Sequence, residues 1–213
     1  METDIQCYRC SAWPCTCKDG QTIICGDCRE VLPELEPVDL VLTDPPYGLA
    51  DRWTGGTWGA QAMYADARRW DREPVTARDI AALLEKATHA IVWGGNYIEG
   101  MPACRGLLAW SKTPRLETMA DFELAWTNLD RPAKSLSMPR NREYREHPTQ
   151  KPIRLMQWCI EQIKNCESVL DPFLGSGTTL RACKDLGRRG IGIEIEERYC
   201  EIAANRLRQE VLF

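Results

Sequence analysis

Four consecutive residues, Asp44-Pro45-Pro46-Tyr47, bring together side chains that could do chemistry, directly after the apolar run Val38 to Thr43. The two prolines fix φ and remove two backbone donors, so the loop is stiff and its carbonyl groups stay unpaired. The Asp44 carboxylate and the Pro45 carbonyl are then adjacent acceptors, which suits an amino group with two hydrogens to donate. Tyr47 offers a flat ring beside them. The alternative interpretation is a rigid turn with a core tyrosine.

A second loop, Asp171 to Thr179, reads Asp-Pro-Phe-Leu-Gly-Ser-Gly-Thr-Thr between a predicted strand and a predicted helix. Its glycines let the backbone approach a ligand closely at the carboxyl edge of a sheet. Because no lysine follows Gly177, the loop does not match a phosphate-binding P-loop. Glu194 ends the next predicted strand about twenty residues later, where dinucleotide-type folds place an acid on ribose hydroxyls. Together these features favour a ligand with a ribose and no pyrophosphate, whereas the loop alone could be a tight turn.

Six of the eleven cysteines lie in the first 28 residues. An odd number of cysteines, in a chain whose acidic start lacks the features of a secretory signal, predicts reduced thiols and a cytoplasmic protein. Four of them have a spacing that can close a tetrahedral zinc site, namely Cys7, Cys10, Cys15 and Cys17. Residues 1–20 are therefore predicted to form a cysteine-rich arm that either holds a structural zinc ion or remains a reduced tail.

The net charge of −4 conceals an uneven distribution. Residues 1–50 carry three basic and nine acidic side chains, whereas residues 131–154 carry seven basic and two acidic ones. Phosphate backbones are held by local basic surface, so the second segment could contact nucleic acid or could be a solvated loop. No apolar run is long enough to span a membrane.

Short apolar runs alternate with helical stretches from residue 21 onward, which predicts an α/β fold. We expect a doubly wound, mostly parallel sheet with helices on both faces and one antiparallel strand pair. The predicted strands are Gln21 to Cys25, Val38 to Thr43, His89 to Trp93, Gly106 to Trp110, Phe122 to Thr127, Ser168 to Leu170 and Gly190 to Ile195. The predicted helices are Arg78 to Thr88, a helix whose start is bracketed by Pro148 and Pro152 and which runs to about Lys164, Thr178 to Leu186 and Arg198 to Glu210.

The two loops, taken in this order, resemble the catalytic and cofactor motifs of the amino-methylating DNA methyltransferases, in their β class. Further matches extend over most of the chain, from about Ile23 to Leu207. They are Gly26-Asp27, Trp93-Gly94-Gly95-Asn96, His147-Pro148-Thr149-Gln150-Lys151-Pro152 and Gly192-Ile193-Glu194. The resemblance implies a methyl transfer from S-adenosylmethionine to a base amino group of double-stranded DNA. Residues 21–213 would form the methyltransferase domain, with a short target-recognition region at 105–147.

Roles for individual residues follow from the resemblance. The catalytic set would be Asp44, Pro45, Pro46 and Tyr47, with Tyr47 stacking on a base flipped out of the duplex. The cofactor set would be Asp27, Cys28, Asp44, Thr149, Lys151, Asp171, Pro172, Phe173, Gly175, Ser176, Gly177, Thr178 and Glu194. The phosphate contacts would come from Arg131, Lys134, Arg140, Arg142 and Arg145.

Several alternatives remain open at this point. An aspartate in the first position of the catalytic loop favours adenine N6 over cytosine N4 as the methyl acceptor. Related loops modify RNA bases or a protein glutamine amide, but in those relatives the cofactor loop usually precedes the catalytic loop. A zinc-stabilised DNA-binding protein without activity is a third alternative, against which the intact acceptors argue. A homodimer would be a way for so compact an enzyme to enlarge its DNA contact.

Overall fold

An eight-stranded mixed sheet with the order β1-β8-β7-β2-β3-β5-β4-β6 organises the computed structural model. The structure describes residues 5–48, 71, 74–114, 120–139 and 150–209. The strands are β1 (Gln21–Cys25), β2 (Val38–Thr43), β3 (Ala87–Trp93), β4 (Leu107–Thr113), β5 (Phe122–Thr127), β6 (Lys134–Pro139), β7 (Ser168–Asp171) and β8 (Arg189–Glu194). The helices in the described ranges are α1 (Cys28–Val31), α2 (Ala77–Glu85), α3 (Ile153–Ile160), α4 (Thr178–Asp185) and α5 (Glu197–Arg208), with 3-10 turns at Leu32–Glu34 and Gly95–Tyr97.

Five neighbouring strands, β1, β8, β7, β2 and β3, run parallel to one another. Strand β5 pairs antiparallel with both β3 and β4, and β6 closes the edge parallel to β4. The mostly parallel sheet with an antiparallel addition confirms the fold class predicted from the alternation of strands and helices. None of the described helices is long and apolar enough to cross a membrane.

Both faces of the sheet are buried, because alternate residues of a strand point to opposite sides. On β2, Leu40 and Leu42 pack into one apolar cluster together with Leu155 of α3. Val41, between them, packs into a second cluster with Leu83 of α2. Continuous apolar strands of this kind are typical of sheets covered by helices on both faces.

The ends of the helices follow local chemistry. Helix α2 begins at a reciprocal capping box, in which Asp79 N donates to Thr76 Oγ1 (3.2 Å) and Thr76 N donates to Asp79 Oδ2 (3.0 Å). It ends at Glu85 rather than at Thr88, and β3 begins already at Ala87. The predicted helix to Lys164 ends as an α-helix at Ile160 and continues in turns, in which Ile163 N donates to the Ile160 carbonyl.

Strand β6 was not predicted. Its sequence Lys-Ser-Leu-Ser-Met-Pro alternates polar and apolar residues, with Leu136 and Met138 packed against the core and the remaining side chains exposed. That period of two is a strand signal, although two serines and a proline weaken it. A lysine at its start and a proline at its end suit an edge strand, because they discourage pairing with another chain.

Candidate active site

The carboxyl ends of the five parallel strands meet at one edge of the sheet, and both loops singled out in the sequence lie there. Strand β2 leads into the catalytic loop Asp44 to Tyr47, and β7 leads into the glycine loop from Asp171. These two strands are neighbours, and Thr43 Oγ1 donates to Asp171 Oδ1 at 2.8 Å. The two motifs that lie far apart in the chain are therefore adjacent in space.

The Asp44 carboxylate is held from both sides. Its Oδ1 accepts a short hydrogen bond from the Tyr47 hydroxyl, and its Oδ2 accepts one from Lys151 Nζ at 2.5 Å. The side chain is largely buried. Burial raises the pKa of Asp44 above its ordinary value, against the opposing effects of the Lys151 ammonium and the Tyr47 hydroxyl. The group is thus an oriented acceptor that takes a proton more readily than a free aspartate.

Lys151 continues into a chain of alternating charges. Its Nζ lies 3.3 Å from Glu123 Oε2, and Glu123 Oε1 accepts a short bond from Lys112 Nζ. Burial by itself would raise the pKa of Glu123, but the two ammonium groups outweigh it and lower the pKa to about 2. Burial would lower the pKa of Lys151, and Asp44 and Glu123 together raise it instead. We call Asp44, Lys151, Glu123 and Lys112 the lysine–carboxylate chain.

Aromatic rings surround the catalytic loop. The Tyr47 ring lies 5.4 Å from that of Tyr97, centroid to centroid, at an interplanar angle of 38°. Tyr97 is 53% exposed, so its face is open to a ligand. Lys151 Nζ lies 5.8 Å from the Trp93 ring and 6.0 Å from the Tyr47 ring, within the range of cation–π attraction. The arrangement places flat apolar faces next to an acceptor and a cation.

Two further residues fix the position of Tyr47. Gly94 has φ +67°, and a Cβ there would lie 2.0 Å from Tyr47 Cε1, so only glycine leaves room for the ring. The Asp71 carboxylate accepts from the backbone nitrogens of Tyr47 (2.7 Å) and Gly48 (3.0 Å). The loop is thus held through its backbone as well as through its side chains.

The glycine loop is organised by Asp171, whose side chain is buried. Its carboxylate accepts from the Thr43 hydroxyl, from the Thr179 hydroxyl at 2.6 Å and from Phe173 N at 3.1 Å. Burial raises the pKa of Asp171 to about 6, against the effect of these donors. The three bonds fix the start of the loop and tie it to the end of β2.

The backbone of the glycine loop forms a cradle. Gly175 and Gly177 have φ +52° and +82°, and a Cβ on Gly177 would lie 2.9 Å from the Ala203 Cα. Gly175 N donates to Glu194 Oε2 at 2.8 Å, which brings the acid at the end of β8 to the mouth of the loop. A closely approachable backbone with a carboxylate beside it suits a ligand that carries hydroxyl groups.

A cleft of about 630 Å³ adjoins this edge at the end of β1. Asp27 lines it and caps α1, accepting from Arg29 N at 2.9 Å. Cys28 is partly buried in the apolar cluster under the cleft, where burial, reinforced by Asp27, raises its pKa to about 11. This thiol is therefore protonated and packs as an apolar group.

The remaining predicted site residues divide between the loops and the outer strands. Pro172, Ser176 and Thr178 lie in the glycine loop, and the Ser176 hydroxyl donates to Gln150 Oε1 at 3.2 Å. Pro45 is buried and Pro46 partly buried in the catalytic loop. Of the predicted phosphate contacts, Lys134 is exposed at the start of β6, whereas Arg131 donates two bonds to Gln162. Thr149, Arg140, Arg142 and Arg145 lie outside the described residues.

The sequence reasoning missed four residues of the site: Glu123, Lys112, Tyr97 and Asp71. Lys151 stays a prediction for the cofactor set, and its Nζ contacts the carboxylate of Asp44, a residue that belongs to both the catalytic and the cofactor set. Tyr97 carried a signal, because it directly follows Trp93-Gly94-Gly95-Asn96. The others are single polar residues with no local pattern.

Comparisons with known proteins agree with this geometry. The family model N6_N4_Mtase, described as DNA methylase, matches residues 51–205. The putative methylase YubD of Escherichia coli (strain K12) is 30% identical over 205 residues, covering 85% of this chain and 88% of that protein. The type II methyltransferase M.HpaI of Haemophilus parainfluenzae is 29% identical over 245 residues, covering 89% of this chain and 75% of that protein.

A solved structure extends the likeness to three dimensions. The crystal structure of the M1.HpyAVI–SAM complex superposes with a TM-score of 0.59 and 26% sequence identity, covering 89% of this chain and all of that one. Three findings agree: the match of the family model, the relatives that are similar over most of their length, and the adjacency of the two motif loops. The chain belongs to the N6_N4_Mtase family and is an S-adenosylmethionine-dependent DNA methyltransferase.

Proposed function

We propose that this enzyme methylates the exocyclic N6 of an adenine flipped out of double-stranded DNA, with Asp44, Pro45, Pro46 and Tyr47 as its catalytic loop. The observation that carries the proposal is the position of the Asp44 carboxylate, between the Lys151 ammonium and the Tyr47 hydroxyl and beside exposed ring faces. This is an acceptor oriented beside aromatic rings that suit a flat base, and the aspartate in this position is the feature that favours adenine over cytosine. The type II methyltransferases among its relatives make a restriction–modification role the natural setting.

The chain's own residues would act on the amino group. An exocyclic amino nitrogen is a poor nucleophile, because its lone pair is delocalised into the ring. Hydrogen bonds from its two hydrogens to Asp44 and to the Pro45 carbonyl direct that lone pair towards the methyl group. Bound S-adenosylmethionine supplies a methyl group on a sulfonium, which leaves with the electron pair of its carbon–sulfur bond. The nitrogen gains the methyl group and loses one proton, for which Asp44 is the adjacent acceptor.

Lys151 keeps this acceptor usable. A carboxylate out of water is costly unless it is paired, and the lysine supplies that pairing while Glu123 and Lys112 balance its charge further out. The base amino group would compete with Tyr47 and Lys151 for the Asp44 oxygens. Since each carboxylate oxygen has two lone pairs, both bonds can persist while the base is bound. Most of the rate would then come from alignment and preorganised electrostatics.

The glycine loop and its neighbours would hold the cofactor. We assign Glu194 to the ribose, the backbone from Gly175 to Thr178 to the body of the ligand, and Asp27 to its adenine end. The assignment is supported by the pairing of β1 with β8, in which Gly26 N donates to the Glu194 carbonyl at 2.9 Å, and by the position of Asp27 in the cleft at the end of β1. Asp171 would act indirectly, because the hydrogen-bond donors to its carboxylate are Phe173 and Thr179 of its own loop and Thr43 at the end of β2.

Contacts with DNA are proposed for the region 105–147, which contains β4, β5 and β6. Lys134 is exposed there and free to approach phosphate, and the basic residues from 140 to 145 extend the same segment. Arg131 would first have to release Gln162. A homodimer would enlarge this surface and stays a prediction that sedimentation with and without DNA would test.

The test is tritiated methyl transfer from S-adenosylmethionine to DNA, RNA and protein in parallel. We expect label in DNA alone, no transfer by Asp44→Ala, and cofactor affinity of that variant close to wild type by calorimetry. Glu85→Gln is the control, because Glu85 is an exposed acid at the end of α2, just before the amino end of β3 and outside the region proposed to contact DNA. Near-normal turnover by Asp44→Ala would refute the catalytic assignment, and label in RNA or protein only would refute the substrate.

A further inference from the structure

The four cysteines of the N-terminal arm converge on one point. The Sγ atoms of Cys7, Cys10, Cys15 and Cys17 all lie within 4.8 Å of one another. Two of the separations are 3.3 Å, between Cys15 and Cys7, and 3.8 Å, between Cys10 and Cys15. The family match covers residues 51–205 and the resemblance of the motifs begins at about Ile23, so the arm precedes both.

These separations are similar to those between the four sulfur ligands of a single tetrahedrally coordinated ion. With Zn–S bonds of about 2.3 Å, the edges of an ideal tetrahedron of sulfurs are about 3.8 Å long. An iron–sulfur cluster binds its cysteines through separate iron atoms, which holds the sulfurs further apart. Four thiolates also leave no open position, which is typical of structural rather than catalytic zinc.

The surroundings support a closed metal site. Cys7 is fully buried, and Cys17 N donates to Cys15 Sγ at 3.4 Å, a bond that orients the sulfur and offsets part of its negative charge. Arg9 lies between Cys7 and Cys10 in the chain. Its guanidinium pairs with Asp19 at 2.8 Å and also donates to the Gln21 carbonyl at 3.1 Å. The arm thus has polar anchors, but its described residues, 5–20, contribute only Cys7 to the fully buried apolar core.

The arm lies against the cofactor side of the sheet. Tyr8 N donates to the Ile23 carbonyl of β1 at 2.7 Å. Ile5, Cys7 and Tyr8 line the 630 Å³ cleft together with Asp27. A ligand residue of the cysteine cluster therefore lines the pocket assigned to the adenine end of S-adenosylmethionine.

We propose that Cys7, Cys10, Cys15 and Cys17 bind one structural Zn²⁺ and that this ion holds the arm in place as a wall of the cofactor pocket. The ion binds four thiolates and displaces their protons to solvent, with no change in oxidation state. The pocket half of the proposal rests on the proposed function, because it takes the cleft as the cofactor site. The zinc half does not depend on it.

The first measurement is the metal content of the purified full-length protein by mass spectrometry. We expect one zinc per chain in the wild type and in Cys104→Ser, the matched control, since Cys104 is a partly buried thiol outside the cluster. The double variant Cys10→Ser, Cys15→Ser should contain less than a tenth of that amount. Equimolar iron, or a metal-free wild type with all four thiols free to react, would overturn the site.

The second measurement is the S-adenosylmethionine affinity of the same proteins. We expect the dissociation constant of the double variant to rise about tenfold, and chelation of wild-type zinc to give the same rise, reversed when zinc is returned. The chelation arm does not depend on how well the variant folds. A zinc-free protein that binds the cofactor like wild type would overturn the coupling. A zinc-loaded wild type that binds no cofactor would instead refute the proposed function and leave the zinc site standing.

Discussion

The substitution Gly94→Ala isolates the position of the Tyr47 ring. Gly94 has φ +67°, and an added Cβ would lie 2.0 Å from Tyr47 Cε1 and 2.2 Å from its Cζ. Ordinary contact begins at 3.4 Å, so the ring must retreat by about 1.4 Å. Its hydroxyl then withdraws from Asp44, and its face turns away from Tyr97.

The size of the effect can be estimated in two parts. A left-handed alanine costs about 1–2 kcal/mol of folding free energy wherever it lies. In a chain of this length, each 1 kcal/mol lowers the Tm by about 2–4 °C. The displaced ring adds a catalytic loss, because a misplacement of about 1 Å at a reacting centre can cost about 100-fold in rate. We therefore expect kcat to fall about 100-fold.

Gly187→Ala is the control for backbone strain. Gly187 has φ +66°, and a Cβ there would meet nothing within 4 Å, so it shares the strain of Gly94 without the clash. Methyl transfer to DNA and thermal unfolding should be measured on both variants. We expect a lower Tm in both variants, with the larger decrease in Gly94→Ala because of its clash, and activity close to wild type for Gly187→Ala. Wild-type kcat in Gly94→Ala, or an equal loss in both, would refute the role given to the ring.

Three further changes test other parts of the site. Glu123→Gln removes the carboxylate that pairs with two largely buried lysines, Lys112 and Lys151. Chemical denaturation should therefore show a free energy of unfolding lower by about 1–3 kcal/mol. An unchanged free energy of unfolding would contradict the role of the lysine–carboxylate chain. Gly177→Ala puts a Cβ 2.9 Å from the Ala203 Cα, so calorimetry should show cofactor affinity at least tenfold weaker, and an affinity within twofold of wild type would count against the cradle. The pKa of Asp171 is raised from 3.8 to about 6, so between these values the folded state keeps a proton that the unfolded state has lost. Its contribution to stability is therefore complete below pH 4 and is lost as the pH rises through about 6, by up to about 3 kcal/mol. Urea unfolding of wild type and Asp171→Asn from pH 4 to 7 measures this contribution. Parallel plots of unfolding free energy against pH for the two proteins would contradict the raised pKa of Asp171.

The parallel half of the fold was open to prediction because its signals are local. Short apolar runs end at turn residues, as Val38–Thr43 ends at a double proline, and each such strand was found. The positions of the two loops followed as well, because the carboxyl ends of neighbouring parallel strands share an edge. Strand β6 was missed since its alternation covers only Leu136 and Met138 between polar residues.

The lysine–carboxylate chain could not be predicted, because it is made by tertiary contacts alone. Asp44 and Lys151 are 107 residues apart in the sequence, and only the packing of the segment before α3 against the end of β2 brings them together. Glu123 is an isolated acid in an otherwise apolar strand, where the pattern predicts nothing about its partners. Chemistry that depends on such pairs is visible only once the sheet is assembled.

The identity of the methylated base tests the central claim most directly. DNA that the enzyme has methylated in vitro should be digested to nucleosides and resolved by liquid chromatography and mass spectrometry. We predict N6-methyldeoxyadenosine as the product, absent when Asp44→Ala replaces the wild type. N4-methyldeoxycytidine would contradict the adenine assignment, and unmodified DNA after incubation with S-adenosylmethionine and active-site-intact enzyme would contradict the proposed function itself.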